Sequence, residues 1–325
     1  MAKNKIYPFA VASVRSMENK LLSKQKLMQM AEAKTPEEAL RLLSDTAYGT
    51  NQVQDIHQFE DMIEAHLEEI YTSVAKLIPS EALIDIFLYK NDYHNVKVLI
   101  KEEIVKVNSK KLLVKGGTVP VEDMIKDFRE RNYTEMPTID GDAVEEAIRL
   151  YAKTQNGEYI DTVLDKACFA AMDARATEMK NDFVRKYVSM LADFTNLKTL
   201  LRVRKMKRPY EAFERACVPG GEIREDIFAR AFKEDNMIGV LKETAYGTLC
   251  EQYIEQGFTV FEKACDNALM EFVKSAKYKT LTPEPVVAYI LAKETEAKCI
   301  RIILTCKLHH IDAEIIKERV REVYV

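Results

Sequence analysis

Between residues 190 and 202, apolar side chains recur with the period of an amphipathic helix. One face of such a helix carries Met190, Phe194, Leu197 and Leu201. Asp193 and Asn196 lie together on one edge of this apolar stripe, and Lys198 and Arg202 lie on the other edge. The acid and the base of the helix therefore cannot pair with each other, and we expect their partners on neighbouring helices. The alternative is that these polar residues are solvated and have no structural role. Exposed ion pairs contribute less than about 1 kcal/mol, so little stability would then depend on them.

A helix start is clearly marked at Thr35-Pro36. Thr35 can cap the helix, Pro36 suits its first position, and Glu38 can reach back as in a capping box. These residues predict a helix over about residues 36–47. Tyr48-Gly49 is predicted to end it, with the glycine in the left-handed conformation and the tyrosine as a packing anchor.

The five residues TAYGT occur at 46–50 and again at 244–248, and their flanks extend the match to LLSDTAYGT and VLKETAYGT. Such an identity is rare by chance in a chain of this length, so internal duplication is the first hypothesis to test. Tyr246-Gly247 is then predicted to lie at the same kind of helix end as Tyr48-Gly49. A phosphate-binding loop would need more glycines and a following Lys-Ser/Thr, and neither is present.

A second repeated feature is an acid followed three residues later by an amide and five residues later by a base. Its members are Asp92, Asn95 and Lys97, then Asp193, Asn196 and Lys198, and in a weaker third copy Glu296, Cys299 and Arg301. Two Gly-Gly pairs, Gly116-Gly117 and Gly220-Gly221, lie 104 residues apart. This regular pitch indicates that the chain is built from copies of one unit.

We predict three helical repeats of about 104 residues, at 1–115, 116–219 and 220–325. TAYGT is eroded in the middle repeat, around Lys153 to Gly157. The period exceeds the roughly 20 to 50 residues of solenoid arrays, so each repeat is expected to be a small domain of several helices. Three such domains in one chain favour a ring or a funnel over a filament.

Composition supports a nearly all-α fold, because Gly (10) and Pro (9) are scarce and 47% of residues are apolar. The net charge of -4 provides no overall field to hold a nucleic acid. The six cysteines are dispersed, with no CxxC and no secretory signal, as expected for reduced thiols in a cytosolic protein. No run of about 18 apolar residues occurs, so we expect no transmembrane segment.

Signals for catalysis or ligand binding are weak, and we predict no catalytic, cofactor or metal site. Cys306 with His309-His310 does not provide four tetrahedral metal ligands. Lys115-Gly116-Gly117-Thr118 lacks the spacing of a P-loop and is expected to be a turn. The basic cluster from Arg202 to Arg208 could contact RNA or acidic lipid, although positive charge also suits the C-terminal end of a helix.

Four groups of residues, in order along the chain, carry a likeness to a known family. They are Tyr7…Val14-Arg15…Leu21-Leu22, then Leu42-Leu43…Thr46…Tyr48-Gly49, then Asn91-Asp92…His94-Asn95…Lys97, and finally Ala288-Tyr289…Lys293-Glu294…Arg301…Leu304. Together they resemble the C subunit of the prokaryotic V/A-type rotary ATPases, which is related to the eukaryotic d subunit. The chain departs from the pattern at Cys299, where the other copies carry Asn, and in the lost TAYG of the middle repeat.

This resemblance implies an all-helical funnel of three pseudo-symmetric domains without an active site. It implies a non-catalytic central-stalk subunit that couples the rotating shaft to the membrane proteolipid ring, for H⁺ or Na⁺ transport linked to ATP hydrolysis or synthesis. The implied partners are the central-shaft subunits and the cytoplasmic face of the ring, with no cofactor and no nucleic acid. The implied location is peripheral, on the cytoplasmic side of the membrane.

The alternative function is a free-standing helical adaptor that binds RNA or acidic lipid through Arg202 to Arg208. Co-purification separates the two functions, because a rotary complex that retains the chain through detergent extraction supports the first, whereas nuclease-sensitive assembly supports the second.

Overall fold

The structure is a computed structural model and describes residues 7–51, 53, 55–79, 82–106 and 109–325. The helices in these ranges are α1 (Tyr7–Glu18), α2 (Lys24–Glu32), α3 (Pro36–Arg41), α4 (Phe59–Ala75), α5 (Ala82–Asp85), α6 (Tyr89–Val105), α7 (Val121–Arg129), α8 (Gly141–Thr154), α9 (Glu158–Met179), α10 (Asp182–Lys205), α11 (Tyr210–Ala216), α12 (Glu225–Lys233), α13 (Met237–Leu241), α14 (Gly247–Tyr253), α15 (Phe258–Lys274), α16 (Glu284–Leu308) and α17 (Ala313–Arg319). Short 3₁₀ turns lie at Ala47–Asn51, Ile56–Gln58, Lys110–Leu112, Tyr133–Glu135 and Ser275–Tyr278. No strand occurs in the described ranges, and the predicted all-α class is confirmed.

The described helices group into two compact units. One unit comprises the chain up to Ile84 together with Thr259–Val325, and the other comprises Asp85–Phe258. In the first unit, α16 packs against α1, α2, α3, α4 and α17. Residues 285–293 of α16 are all buried, which explains why the run PVVAYILA has no polar face.

The second unit is organised around α9, which packs against α6, α8, α10 and α11. By the predicted boundaries, α6 belongs to the first repeat and α9 to the second. In the first unit, α16 of the third repeat packs in the same way on α4 of the first repeat. In both cases a long helix of one repeat packs on a helix of another repeat, so contacts between helices do not separate the repeats. The boundaries at 1–115, 116–219 and 220–325 therefore stay a prediction.

The start of α3 is confirmed, whereas its predicted end is wrong. Thr35 Oγ1 accepts a hydrogen bond from the N–H of Glu38 (3.1 Å), and Pro36 is the first helical residue. The helix ends at Arg41, because the chain turns through the following residues into the 3₁₀ turn Ala47–Asn51. In the part of the chain that the structure describes, no helix is both long and apolar enough to cross a membrane.

Candidate functional site

Asp92 and Asn95, both fully buried on α6, hold the segment that leads from α6 to α7. Asp92 Oδ1 accepts hydrogen bonds from the N–H groups of Thr118 (2.9 Å) and Val119 (3.3 Å). Asn95 makes a two-way pair with Val114, accepting from its N–H (2.8 Å) and donating to its carbonyl (2.9 Å). The two side chains thus satisfy backbone groups of Val114, Thr118 and Val119, which have no backbone partner among the described residues.

The same arrangement recurs on α10, where it holds the segment between α11 and α12. Asp193 accepts from the N–H groups of Glu222 and Ile223, each at 3.0 Å. Asn196 exchanges two hydrogen bonds with Val218, each at 2.8 Å. Burial raises the pKa of Asp193, and likewise that of Asp92, while the groups that donate to each carboxylate act in the opposite direction.

Each Gly-Gly pair lies at the point where the segment between two helices passes the carboxylate that binds it, Asp92 in the first case and Asp193 in the second. The first glycines, Gly116 and Gly220, have φ of +78° and +91°, a region that side chains rarely adopt. On the second glycines, Gly117 and Gly221, a Cβ would lie only 2.1 and 2.2 Å from the carboxylate Oδ1 of the aspartate. Each pair is therefore required by a turn and by the close approach of the backbone to the acid.

In the third copy, α16 keeps the acid and loses the amide. Glu296 Oε2 accepts from the N–H of Leu22 (2.6 Å), just before α2. The thiol of Cys299 makes one long contact with the carbonyl of Arg321 (3.8 Å), and burial raises its pKa to about 11. The segment held by Glu296 carries Lys20-Leu21 where the other two carry Gly-Gly, and the side chain that reaches it is one methylene longer than Asp.

The two TAYGT copies form the same hydrogen-bonded turn. In each, the threonine hydroxyl donates to the carbonyl three residues earlier (2.6 and 2.7 Å) and accepts from the tyrosine N–H (3.3 Å in both). The glycine N–H donates to the threonine carbonyl at 3.0 Å in both copies.

The prediction that these glycines are left-handed is wrong. Gly49 lies inside the 3₁₀ turn and Gly247 is the first residue of α14, and neither has a positive φ. A Cβ on Gly49 would lie 2.2 Å from the carbonyl oxygen of Ser44, and one on Gly247 would lie 2.4 Å from that of Lys242. The glycine is needed because two turns of backbone approach closely.

The tyrosines of TAYGT approach the repeated acids. Tyr246 donates its hydroxyl to Asp193 Oδ2 (3.1 Å). Tyr48 is fully buried. The pKa of its hydroxyl is raised well above 10, mainly by burial and secondly by the nearby Glu296 carboxylate. In the middle repeat, where the tyrosine is absent, the hydroxyls of Thr118 (2.6 Å) and Thr138 (3.2 Å) bind Asp92 Oδ2 instead.

The bases of the motif are arranged differently. Lys97 pairs with Asp165 on α9 (2.5 Å), and Arg301 pairs with Glu60 on α4 (2.7 Å). Lys198 is half-buried and makes no ion pair with the residues that the structure describes. The four residues Asp92, Asn95, Asp193 and Asn196 are at most 3% exposed, so the alternative of solvated flank positions is wrong for them.

Sequence reasoning missed several members of this site. Thr118, Thr138 and the N–H of Leu22 were not identified, because hydroxyls and backbone groups in loops carry no periodic signal. Lys293, which donates to Glu296 Oε1 (2.7 Å), stood out in the sequence only as part of a family motif. The available signal was a lysine directly after eight consecutive apolar or small residues.

Chemically, these carboxylates act as acceptors for N–H and O–H groups, and the arrangement positions chain segments. Among the residues described, no group of three or more His, Cys, Asp or Glu is placed to hold a metal ion. The chain is an all-α protein in which three long helices, α6, α10 and α16, carry related buried acids.

The chain belongs to the family of ATP synthase (C/AC39) subunits, whose family model matches residues 10–319. It is 27% identical to the C subunit of the A-type ATP synthase of Methanocaldococcus jannaschii, over 96% of this chain and 85% of the relative. It is 25% identical to the corresponding protein of Desulfurococcus sp. strain SY, over 98% and 91% of the two chains. The C subunit of the V-type sodium ATPase of Enterococcus hirae is 24% identical, over 96% and 97%. The family resemblance of the sequence is confirmed.

Replacing Asp193 by alanine is expected to lower the free energy of unfolding by roughly 1–3 kcal/mol, because the N–H groups of Glu222 and Ile223 and the hydroxyl of Tyr246 lose their acceptor. Urea denaturation measures the change. Asp235, an exposed aspartate of the same unit, supplies the matched control Asp235→Ala, which should change stability by at most about 0.5 kcal/mol. Equal effects of the two substitutions would show that the anchor does not stabilise the fold.

Proposed function

We propose that this chain is a non-catalytic central-stalk subunit of a V/A-type rotary ATPase. It couples rotation of the shaft to the membrane proteolipid ring, and hence ATP hydrolysis or synthesis to H⁺ or Na⁺ transport. The observation that carries this proposal is the family match over residues 10–319. It is supported by relatives named as C subunits of an A-type ATP synthase and of a V-type sodium ATPase, which align over nearly the whole chain.

The anchored segments support a mechanical role. A coupling subunit must transmit torque without deforming, and a connection between helices is the part of a helical protein that yields first. Here connections are fastened to long helices by buried carboxylate and amide groups, as Asp92 and Asn95 fasten the α6–α7 segment. Such connections move with the helices that hold them.

The proposed partners are the central-shaft subunits and the cytoplasmic face of the proteolipid ring, with the chain held peripherally on that side of the membrane. With 31% charged residues, the contacts are expected to be polar and charge-assisted. Salt screens contacts of this kind, so the protein should detach reversibly as the ionic strength rises.

Part of the basic cluster on which the adaptor alternative depends is engaged in contacts within the protein. Arg204 donates to the carbonyls of Ala231 (2.6 Å) and Glu234 (3.0 Å). Arg208 forms a two-pronged pair with Glu158, at 2.7 and 2.8 Å. These guanidinium groups stabilise the fold of their own unit, which leaves fewer charges for RNA.

Removing this subunit from the assembled ATPase is expected to abolish ion pumping while ATP hydrolysis by the soluble catalytic head continues. The reason is that the head turns its shaft without a connection to the ring. The measurement is ion uptake into vesicles alongside ATP hydrolysis, before and after the purified chain is added back to the depleted complex. Pumping at the normal rate in a complex shown to lack the subunit would disprove the proposal. ATP hydrolysis by the purified chain alone would disprove its non-catalytic character.

A further inference from the structure

The end of α6 and the segment after it carry concentrated positive charge. Residues 104–121 contain four lysines and no acid, in a chain whose net charge is -4. These lysines, Lys106, Lys110, Lys111 and Lys115, are all exposed. Within the described residues, no ion pair or hydrogen bond engages the ammonium groups of Lys106, Lys111 and Lys115. We call residues 109–115 the basic segment.

Two aliphatic side chains are exposed among these lysines. Val105, the last residue of α6, is 65% exposed, and Leu112 in the basic segment is 63% exposed. A single exposed aliphatic residue is ordinary on a protein surface. Two of them among four exposed lysines make a surface that is both apolar and positively charged.

The backbone of the basic segment is fixed by α6. Glu102 accepts from the N–H of Ser109 (3.1 Å), Nε2 of His94 donates to the carbonyl of Leu112 (2.9 Å), and Asn95 holds Val114 from both sides. Between these attachments, Lys110–Leu112 forms a 3₁₀ turn. Lys110, Lys111 and Leu112 are therefore presented by a pre-formed turn, which lowers the entropy lost on binding.

We propose that the basic segment, together with Val105 and Lys106, docks on a bilayer surface that contains acidic phospholipids. Lysine ammonium groups attract acidic headgroups, roughly fivefold in affinity per residue near the surface. Their long methylene stems, with Val105 and Leu112, enter the boundary between headgroups and acyl chains.

The residue types favour lipid over other acidic partners. Protein interfaces depend on Tyr, Trp and Arg and are depleted in Lys. Single-stranded nucleic acids are bound by aromatic stacking and by Arg. From Val105 to Lys115 the chain contains no aromatic residue and no arginine. Direct contact with bilayer lipid goes beyond the proposed function, which requires only the shaft and the ring.

The test uses the full chain and sedimentation with vesicles of phosphatidylcholine, with and without an equal part of phosphatidylglycerol. We expect binding only to the acidic vesicles, and its loss at high salt. Lys111→Glu with Lys115→Glu should weaken this binding about tenfold or more. The matched control is Lys153→Glu with Lys233→Glu, which reverses two exposed, unpaired lysines of the same unit and should leave binding unchanged. Equal binding by the first pair and the wild type would overturn the proposal.

The chain contains no tryptophan, so one introduced residue reports its own surroundings. The fluorescence of a Leu112→Trp variant should shift to the blue when acidic vesicles are added, whereas that of Ile315→Trp, at an exposed site in the other unit, should not. An unshifted Leu112→Trp variant would overturn the proposal. The proposal would also be overturned if the double variant Lys205→Glu/Lys207→Glu lost binding and the double variant Lys111→Glu/Lys115→Glu kept it. In that case the end of α10 would be the lipid-binding site. Neither result bears on rotor coupling, which is measured in the assembled ATPase.

Discussion

Replacing Glu296 by alanine is expected to lower the free energy of unfolding by about 3–5 kcal/mol. Lys293 and Glu296 form an ion pair at 2.7 Å, with side chains only 1% and 2% exposed. Without the carboxylate, the ammonium group of Lys293 stays buried, and among the described residues the ring of Tyr48 (5.2 Å) is its remaining favourable contact. The N–H of Leu22 also loses its acceptor. Equilibrium urea denaturation of the variant measures the loss.

The matched control for this substitution is Glu314→Ala. Glu314 pairs with Lys317 at the same i,i+3 spacing, at 2.9 Å, but its side chain is 80% exposed. This control should change stability by less than about 0.5 kcal/mol. The double variant Lys293→Met/Glu296→Gln removes both charges and retains an acceptor for Leu22, so it should recover most of the loss. A small effect of Glu296→Ala would mean that Lys293 reaches water.

The sequence was sufficient to predict the helical class and to place Asp193 and Asn196 on one edge of α10, but it left open whether that edge is buried or solvated. The scarcity of Gly and Pro and the period of the apolar residues indicate helix by local physics, and the start of α3 at Pro36 was predicted because capping depends on neighbours in the chain. The acid and the amide share a helix edge because 100° per residue places Asp193 beside Asn196. These inferences need no knowledge of distant residues.

The positions along the chain of the backbone groups that bind the acids could not be predicted. Asp193 binds N–H groups about 30 residues away, and every residue except proline carries such a group, so no residue type marks the position. The glycines mark it, through Gly220-Gly221 and Gly116-Gly117, but their pitch by itself indicates only duplication. Their distance from the carboxylate oxygen is a property of the folded chain.

The group around His66 was also beyond sequence reasoning, because its members come from three separate elements. His66 lies on α4, Tyr48 in a 3₁₀ turn and Lys293 on α16. The rings of His66 and Tyr48 lie 4.1 Å apart, and neither ring nitrogen of His66 has a hydrogen-bond partner among the described residues. A histidine in this position is held neutral, because a charged imidazole would be buried without an acceptor and beside an ammonium group.

Acid is expected to destabilise the protein through His66. Burial, and then the nearby charge of Lys293, lower the pKa of His66 from 6.5 to about 4. Between these values the unfolded chain binds a proton at this residue and the folded chain does not, so the free energy of unfolding falls as the pH falls. The contribution is complete above about pH 6.5, and its loss reaches about 2 kcal/mol at pH 5 and about 3 kcal/mol below pH 4.

Urea denaturation measures the free energy of unfolding of each protein at pH 7 and at pH 5, and the effect is the difference between these two free energies. Because both values come from the same protein, the packing change caused by a substitution cancels. In His66→Leu the difference should be smaller than in the wild type by about 2 kcal/mol. His309, an exposed histidine of the same unit, provides the control His309→Gln, which should retain the wild-type difference. An unchanged difference in His66→Leu would assign the acid sensitivity to other groups and would mean that a protonated His66 finds an acceptor or water in the folded chain.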